Sequence, residues 1–369
     1  MTYDKSHQEN GRNITNNQTV KTQLSLLAVF CVPLLAMCCK DNGITPIDYV
    51  QPGRRDYAWT IDTISPSQFG PSMYPLQSIW GSAPTDVWAG GENVTPNYNL
   101  FHYDGNKWSA SKIGANISPI FGFGPNNVWI GGNDGQIWHY DGLAWKKSFS
   151  YSPAAGFYAC DIVDIWGPKA DDCYASGVIL GTSSDDSQRG FVLHFDGTTW
   201  KETYKADFYS QFGRIRKEDG VAYIDGLKIG YTQTDTVVFY QLSGTTLKEI
   251  YSNTYSKIVF GTLNDIGGKV YFVIARDIFR FVNGGFVKQF WFNEPNYGYQ
   301  IYGRTEKDIF VRMEDGLAHY NGTDTKYLLS FSNSYTGIAQ TPAIFEKEVF
   351  FILRDRSSAA NMVLHGKLN

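Results

Sequence analysis

Five of the six histidines, His102, His139, His194, His319 and His365, are the first residues whose type and spacing could do chemistry. Four stand just before Tyr/Phe-Asp/Asn-Gly, and His365 lies in the corresponding stretch near the C-terminus. Imidazole is a common metal ligand. Equivalent positions of a repeated unit are spread around a ring rather than gathered at a point, so these five cannot share one ion. The expectation is a set of buried or half-buried histidines bonded to neighbouring backbone, with no metal site and no cofactor. Acids on expected loops, Asp185, Asp186, Glu294, Glu314 and Asp315, are the carboxylates to weigh next. Glycoside hydrolysis needs two of them flanking one bond at roughly 5–10 Å, and nothing in their spacing fixes such a pair. The chain carries no Walker loop, HExxH, nucleophile elbow or CxxC pair, and no catalytic residue is assigned.

Of the five cysteines, Cys31, Cys38 and Cys39 lie in or beside an apolar run, which leaves Cys160 and Cys173 for the folded part. These two fall on adjacent strands of one unit. A turn near Pro168–Ala170 sets Cys173 opposite about Trp166, leaving Cys160 some six residues out of register, or roughly 20 Å at strand rise. That is beyond disulfide reach, so both are read as core thiols.

The elements that position these residues repeat. Ile79 to Gly91 reads IWGSAPTDVWAGG, Ile120 to Gly132 IFGFGPNNVWIGG, Ile165 to Gly177 IWGPKADDCYASG and Ile301 to Arg312 IYGRTEKDIFVR. Each is followed by a second signature: FHYDGNKW from Phe101, WHYDGLAW from Trp138, LHFDGTTW from Leu193 and AHYNGTDT from Ala318. Weaker copies begin at Ile215, Ile258 and Ile338, giving a period of about 43 residues. Four strands per unit at this period predict propeller blades. Glycine after Ile-Trp lets backbones approach closely near the hub, and Asp-Gly makes the hairpin between third and fourth strands. The composition agrees, with 24 Tyr, 24 Phe, 10 Trp and 37 Gly in 369 residues, since aromatic residues favour strands and glycine their turns. The expected fold is all-β, a single seven-bladed β-propeller over 57–369, in which the spare strand Tyr57 to Ile64 completes the last unit and removes its free edge.

The paired Ile-Trp-Gly…Asp-Val-Trp-Ala-Gly-Gly and His-Tyr-Asp-Gly-x-x-Trp signatures resemble a family of bacterial extracytoplasmic repeat propellers, many of them lipoproteins of uncharacterised role. The resemblance covers Tyr57 to Asn369, most specifically the first three units, and implies a fold and a location but no catalytic residues. The Asp-Gly-x-x-Trp segments also resemble the Asp-box of sialidase propellers, but lack the residue between Asp and Gly. Their aspartates are expected to serve the turn.

Ahead of the repeats, Met1 to Gln23 is polar and Asn-rich, with the composition of a disordered segment. Lys21 precedes the apolar run Leu24 to Met37. As a helix that run spans only ~21 Å, short of a hydrocarbon core and right for a signal-peptide core. The following Cys-Cys-Lys-Asp resembles the lipobox of bacterial lipoproteins and the charged export tag of Bacteroidota lipoproteins. It departs from the usual small residue before the cysteine, having Met37 before Cys38 and Cys38 before Cys39. Cys39 is taken as the lipidated residue, with Cys38 the alternative, and an uncleaved anchor or an ordinary secretory signal as the competing readings. The expected organisation is an extension and lipoprotein signal peptide over 1–39, a flexible tether over 40–56 and the propeller over 57–369. The implied location is the outer membrane or cell surface, held by the lipid.

A charged fraction of 18% and a net charge of −4 leave no basic stripe, which argues against nucleic acid. A propeller offers its inter-blade loops and its second-to-third-strand loops on one face. Candidate ligand-binding residues there are Tyr74, Phe157, Tyr158, Tyr209, Trp291, Phe292, Tyr297 and Tyr299, with Arg276 and Arg312 to orient a ligand. The segment Trp291 to Tyr299 stands out by its density of aromatics. The expected function is a non-enzymatic, monomeric lipoprotein binding a glycan or peptide on this face. A scaffold for an envelope protein and a polysaccharide lyase or hydrolase are the alternatives. A grooved aromatic face favours glycan, and a flat apolar patch favours protein.

Overall fold

The computed structural model describes residues 50–64, 75–93, 98–153, 157–181, 188–230, 235–254, 261–331, 335–355 and 361–369. Every regular element among them is a β-strand. The cysteines of the apolar run and the whole proposed signal peptide lie outside the described residues, as do Tyr74, Asp185 and Asp186.

Each repeat folds as an antiparallel four-strand meander. The first reads Leu76–Ala83, Asp86–Gly91, Leu100–Tyr103 and Trp108–Ser111, paired in chain order. The units over 120–150, 157–205 and 210–254 repeat it as separate four-stranded sheets. The next eight strands, over 261–330, are joined into one sheet, but the two sets meet through a single parallel pair, Ile266 with Gly303. The innermost strands succeed one another around a ring. Leu76–Ala83 packs on Ile120–Gly124, this on Phe157–Lys169, then Ser210–Glu218, Gly261–Ile266, Tyr297–Thr305 and Tyr335–Ile344, which returns to Leu76–Ala83. The result is an all-β propeller.

The ring is fastened as the sequence predicts. Tyr57–Ile64 pairs antiparallel with Asn361–Leu368, Tyr57 opposite Leu368 and Ile64 opposite Asn361, so the N-terminal strand completes the C-terminal sheet. In the fifth repeat the first described strand is Gly261–Ile266, and the expected start at Ile258 lies outside the described residues. Within the expected tether over 40–56, residues 53–56 are bonded to the folded units. Gly53 N–H donates to the Lys307 carbonyl at 2.7 Å, and Arg55 reaches Asp324 at 2.8 Å and the His319 carbonyl at 3.0 Å. A Cβ on Gly53 would lie 2.4 Å from an Asp308 oxygen, so only glycine fits there. Residues 53–56 form a strap on the sixth unit.

The core consists of apolar clusters between neighbouring sheets. One joins Trp88, Leu100, Ile120, Val128 and Ile130 of the first two units, and another joins Phe310, Leu317, Val349, Phe351 and Leu364 of the last two. Cys160 and Cys173 are buried free thiols; Cys160 pairs with Ile179, six positions along the strand from Cys173. The Asp-Gly aspartates serve their hairpins. Asp104, Asp141 and Asp196 each accept two backbone N–H groups of their own turn, and Gly105, Gly142 and Gly197 hold the positive φ it requires.

Candidate functional site

The histidines form a repeated brace in five of the six described sheets. His102 Nε2 meets Asp86 at 2.7 Å, His139 meets Asn127 at 3.0 Å, His194 meets Asp172 at 2.9 Å, His319 meets Asp308 at 2.7 Å and His365 meets Glu348 at 2.8 Å. The partner is thus a side chain at the start of the second strand, not the backbone expected from sequence. Each imidazole also lies against an aromatic residue of that strand, as in Trp88 on His102 at 4.1 Å between ring centroids and Phe350 on His365 at 4.0 Å. Burial alone would raise the Asp86 and Asp308 pKa values, but the bonds to His102 and to His319 with Arg304 outweigh it and hold both below the ordinary value.

The predicted loop-face residues do not form one constellation. Trp291 ends an outer strand and is 63% exposed, with the Lys288 ammonium 5.3 Å from its ring. Phe292 and Tyr297 are corrected from surface to core, at 1% and 2% exposure. They pack on each other at 5.1 Å and join the cluster of Tyr271, Val273 and Ile301. Tyr299 is half-buried beside Tyr297, in the left-handed region at φ 59°. Arg276 donates to the Glu294 carbonyl at 2.9 Å and so holds the 291–299 loop rather than facing a ligand. Asp315 is engaged by Asn296 and Tyr327. Phe157 and Tyr158 begin the third unit's inner strand, whose described side chains start further along. Tyr209 lies some distance from Trp291 in sequence and ring position, in an open cleft with Tyr204, Phe208 and Tyr240, and the Arg189 guanidinium sits 4.0 Å from its ring.

The central channel, which holds none of the aromatic residues predicted to bind a ligand, is the better built site. Its cavity volume is about 510 Å³, within the range of small-molecule sites. The strand register shows what lines it. Trp80 pairs with Trp88, Phe121 with Trp129, Trp166 with Tyr174, Arg216 with Tyr223, Asn264 with Tyr271, Tyr302 with Phe310 and Ala343 with Phe350. The second-strand partner is aromatic each time, so the inner-strand residues are equivalent positions. All of them line the channel. One arc is therefore aromatic, from Trp80 through Phe121 to Trp166, and the facing arc is polar, from Arg216 through Asn264 to Tyr302.

The polar arc is held by bonds between units. Arg216 donates to Asp164 of the preceding unit at 2.5 Å, and Asp164 also takes the Ile215 N–H at 3.0 Å. The Arg216 guanidinium lies 5.8 Å from the Trp166 ring, where the two arcs meet. Arg214 donates forward to the Leu263 carbonyl at 3.0 Å and Asn264 Oδ1 at 2.8 Å. Asp225 accepts from the backbone of Arg214 and Leu263 and from Thr262. Burial raises the Asp225 pKa against the pull of Arg214, and raises that of Asp265 against Arg216. Gln300 Oε1 accepts from Tyr302 at 2.6 Å and from Arg312 at 3.4 Å, so Arg312 of the predicted set reaches a channel-lining residue without itself lining the channel. Sequence reasoning missed this arc. Its signal was the second letter of the Ile-Trp-Gly motif, which turns to Arg216 in the fourth copy.

No protein-family model matches the chain, and no curated protein matches it. Solved structures do. "YCF48 bound to D1 peptide" aligns at TM-score 0.55 and 11% identity, over 87% of this chain and 100% of that one. The β-propeller domain of the Trilobed protease from Pyrococcus furiosus aligns at TM-score 0.51 and 10% identity, over 81% and 98%. The extracellular domain of the putative hybrid two component system BT4673 from B. thetaiotaomicron aligns at 0.52 and 16% identity, over 82% of this chain and 42% of that one. At these identities the likeness is one of fold, and the fold shared is the β-propeller.

Proposed function

We propose that the chain is a non-enzymatic binding propeller that takes a glycan in the mouth of its central channel. One observation carries the reading: an aromatic arc, Trp80, Phe121 and Trp166, faces a hydrogen-bonding arc, Arg214, Asn264, Gln300 and Tyr302, across a concave site. Flat aromatic faces suit the apolar side of a sugar ring, and the facing donors and acceptors suit its hydroxyls. A groove of this kind favours a sugar over the flat apolar patch that a scaffold would present. The channel carboxylates Asp164 and Asp225 are engaged in bonds between units and Asp265 in its own turn, which speaks for binding rather than hydrolysis. Trp291 and Tyr209 stand outside the channel as flanking contacts for a longer ligand.

Within the same reading the propeller has seven blades, the eight-stranded sheet being two blades bridged at Ile266 and Gly303. The chain is exported and lipidated at Cys39 (alternatively Cys38), placing a monomeric propeller at the bacterial outer membrane or cell surface. Labelling of cells with a palmitate analogue tests that part: the label should follow the wild-type chain and be lost in Cys39→Ser. Loss in Cys38→Ser alone moves the site by one residue.

Affinity electrophoresis of the full chain through gels holding different polysaccharides, with released reducing ends assayed in the same lanes, tests the function. Retardation without released ends, abolished in Trp80→Ala, is the expected result. Released ends would make the protein an enzyme. A peptide is the second reading, favoured by the peptide bound to YCF48, a protein of the same fold. Binding of peptides with no retardation in any gel would replace the glycan with it.

A further inference from the structure

The polar arc holds more hydrogen-bond donors than acceptors. Among the described residues the Arg214 guanidinium bonds only neutral acceptors, the Leu263 carbonyl, Asn264 Oδ1 and the Tyr302 hydroxyl, and forms no ion pair. Among the described residues Arg312 has only Gln300 Oε1, at 3.4 Å, and its buried Nε has no partner. Asn264 is 4% exposed, lines the channel, and its Nδ2 has no partner either. Gln300 Oε1 is already shared by Tyr302 and Arg312. The charges of both Arg214 and Arg312 act on the Tyr302 hydroxyl, opposing the burial that raises its pKa. Two arginines therefore converge on one tyrosine, and the carboxylate that Arg214 acts on, Asp225, is buried and bonded to backbone and Thr262.

The acids nearby are committed elsewhere. Asp164 serves Arg216 and the Ile215 N–H. Asp225 serves two backbone N–H groups and Thr262, and Asp265 takes the Gly268 N–H. Burial disfavours the charged form of the last two. A buried donor left without an acceptor is destabilising, so the arc calls for a ligand rich in acceptors. A carboxylate meets that demand best, since it only accepts and can take two guanidinium N–H groups at once.

We infer that Arg214, Asn264, Tyr302 and Arg312 form a carboxylate subsite, and that the channel takes an acidic glycan carrying uronic-acid sugars. The inference rests on the glycan reading above. Ring stacking on Trp80, Phe121 and Trp166 places the sugar so that its carboxylate faces the arginines. Arg216 stays outside the subsite, being occupied by Asp164.

Titration of the full chain with tri-galacturonate and with its neutral methyl ester, followed by calorimetry and by the fluorescence of Trp80 and Trp166, tests it. The acid should bind at least about tenfold more tightly than the ester, from a charge-assisted bond, with affinity falling as salt is added. Arg214→Gln should remove that preference, bringing the acid's affinity down to that of the ester. Arg312→Gln provides the same test should Arg214→Gln fail to fold. Equal binding of acid and ester would overturn the subsite and leave the glycan reading standing. A peptide that binds with a free C-terminus, loses binding on amidation and fails with Arg214→Gln would overturn the sugar assignment while keeping a carboxylate in place. Absence of binding by any of these carboxylates would overturn the inference whole.

Discussion

The first three units and the fourth and fifth occupy the same ring with the same register, yet they line the channel with opposite chemistry. Units one to three place Trp80, Phe121 and Trp166 there, each opposite an aromatic second-strand residue. Units four and five place Arg216 and Asn264 opposite Tyr223 and Tyr271. These are also the units in which the repeat signature fades. What is kept in all of them is the aromatic second-strand residue that packs between blades. What changes is the residue facing the channel. The comparison teaches that packing between sheets is the constraint on the repeat, while the channel position is free to carry a ligand.

The largest test of that division is Trp88→Ala, which removes a buried ring stacked on His102 and edge-on to Trp145. It should cost roughly 3–5 kcal/mol as a large-to-small core change, read as a lowered denaturation midpoint. An unchanged midpoint would break the claim that the second-strand aromatics hold the ring.

Asp164→Ala comes next. It leaves the Arg216 side chain, 8% exposed, as a buried charge without its partner, at a cost of about 3 kcal/mol. The double variant with Arg216→Trp restores the residue of the first unit and should recover most of that loss. Failure to recover would mean that the polar arc is structural and not a free position.

A smaller effect separates the second unit from its neighbours. His139 faces Asn127, where His102 and His194 face aspartates. Burial lowers the His139 pKa below its ordinary value. The unfolded chain then takes up a proton first, so this group's share of stability is present above pH ~6.5 and is lost as pH falls from there toward the folded pKa. Asn127→Asp should raise the His139 pKa and remove that loss, by under ~1 kcal/mol between pH 7 and 5. Equal melting shifts with pH in both proteins would sink this account.

Trp291→Ala should change stability least, within about 0.5 kcal/mol for so exposed a ring, while weakening binding of a long glycan. A large drop in melting temperature would return Trp291 to the core.

Much of the fold was legible beforehand because a period of about 43 residues with glycine and Asp-Gly at fixed places dictates meanders. The closing strand Tyr57–Ile64 could be foreseen for the same reason, since it is a spare strand ahead of the first four-stranded unit. The site was less legible. Trp291 and Phe292 are adjacent in sequence and differ from 63% to 1% exposure, because successive strand residues point to opposite faces and only the neighbouring sheet decides which face is covered.

By itself, then, the sequence determined the strands, their turns, the order in which they pair and the core status of Cys160 and Cys173. These follow from local backbone preference and from repetition, which each segment carries alone. Only the tertiary structure decided that Phe292 and Tyr297 are core, that the histidines bond carboxylates and an amide, and that Arg214, Asn264, Tyr302 and Arg312 meet. Those residues come from three different units. Their chemistry is set by closure of the ring, which brings together side chains that no local pattern connects.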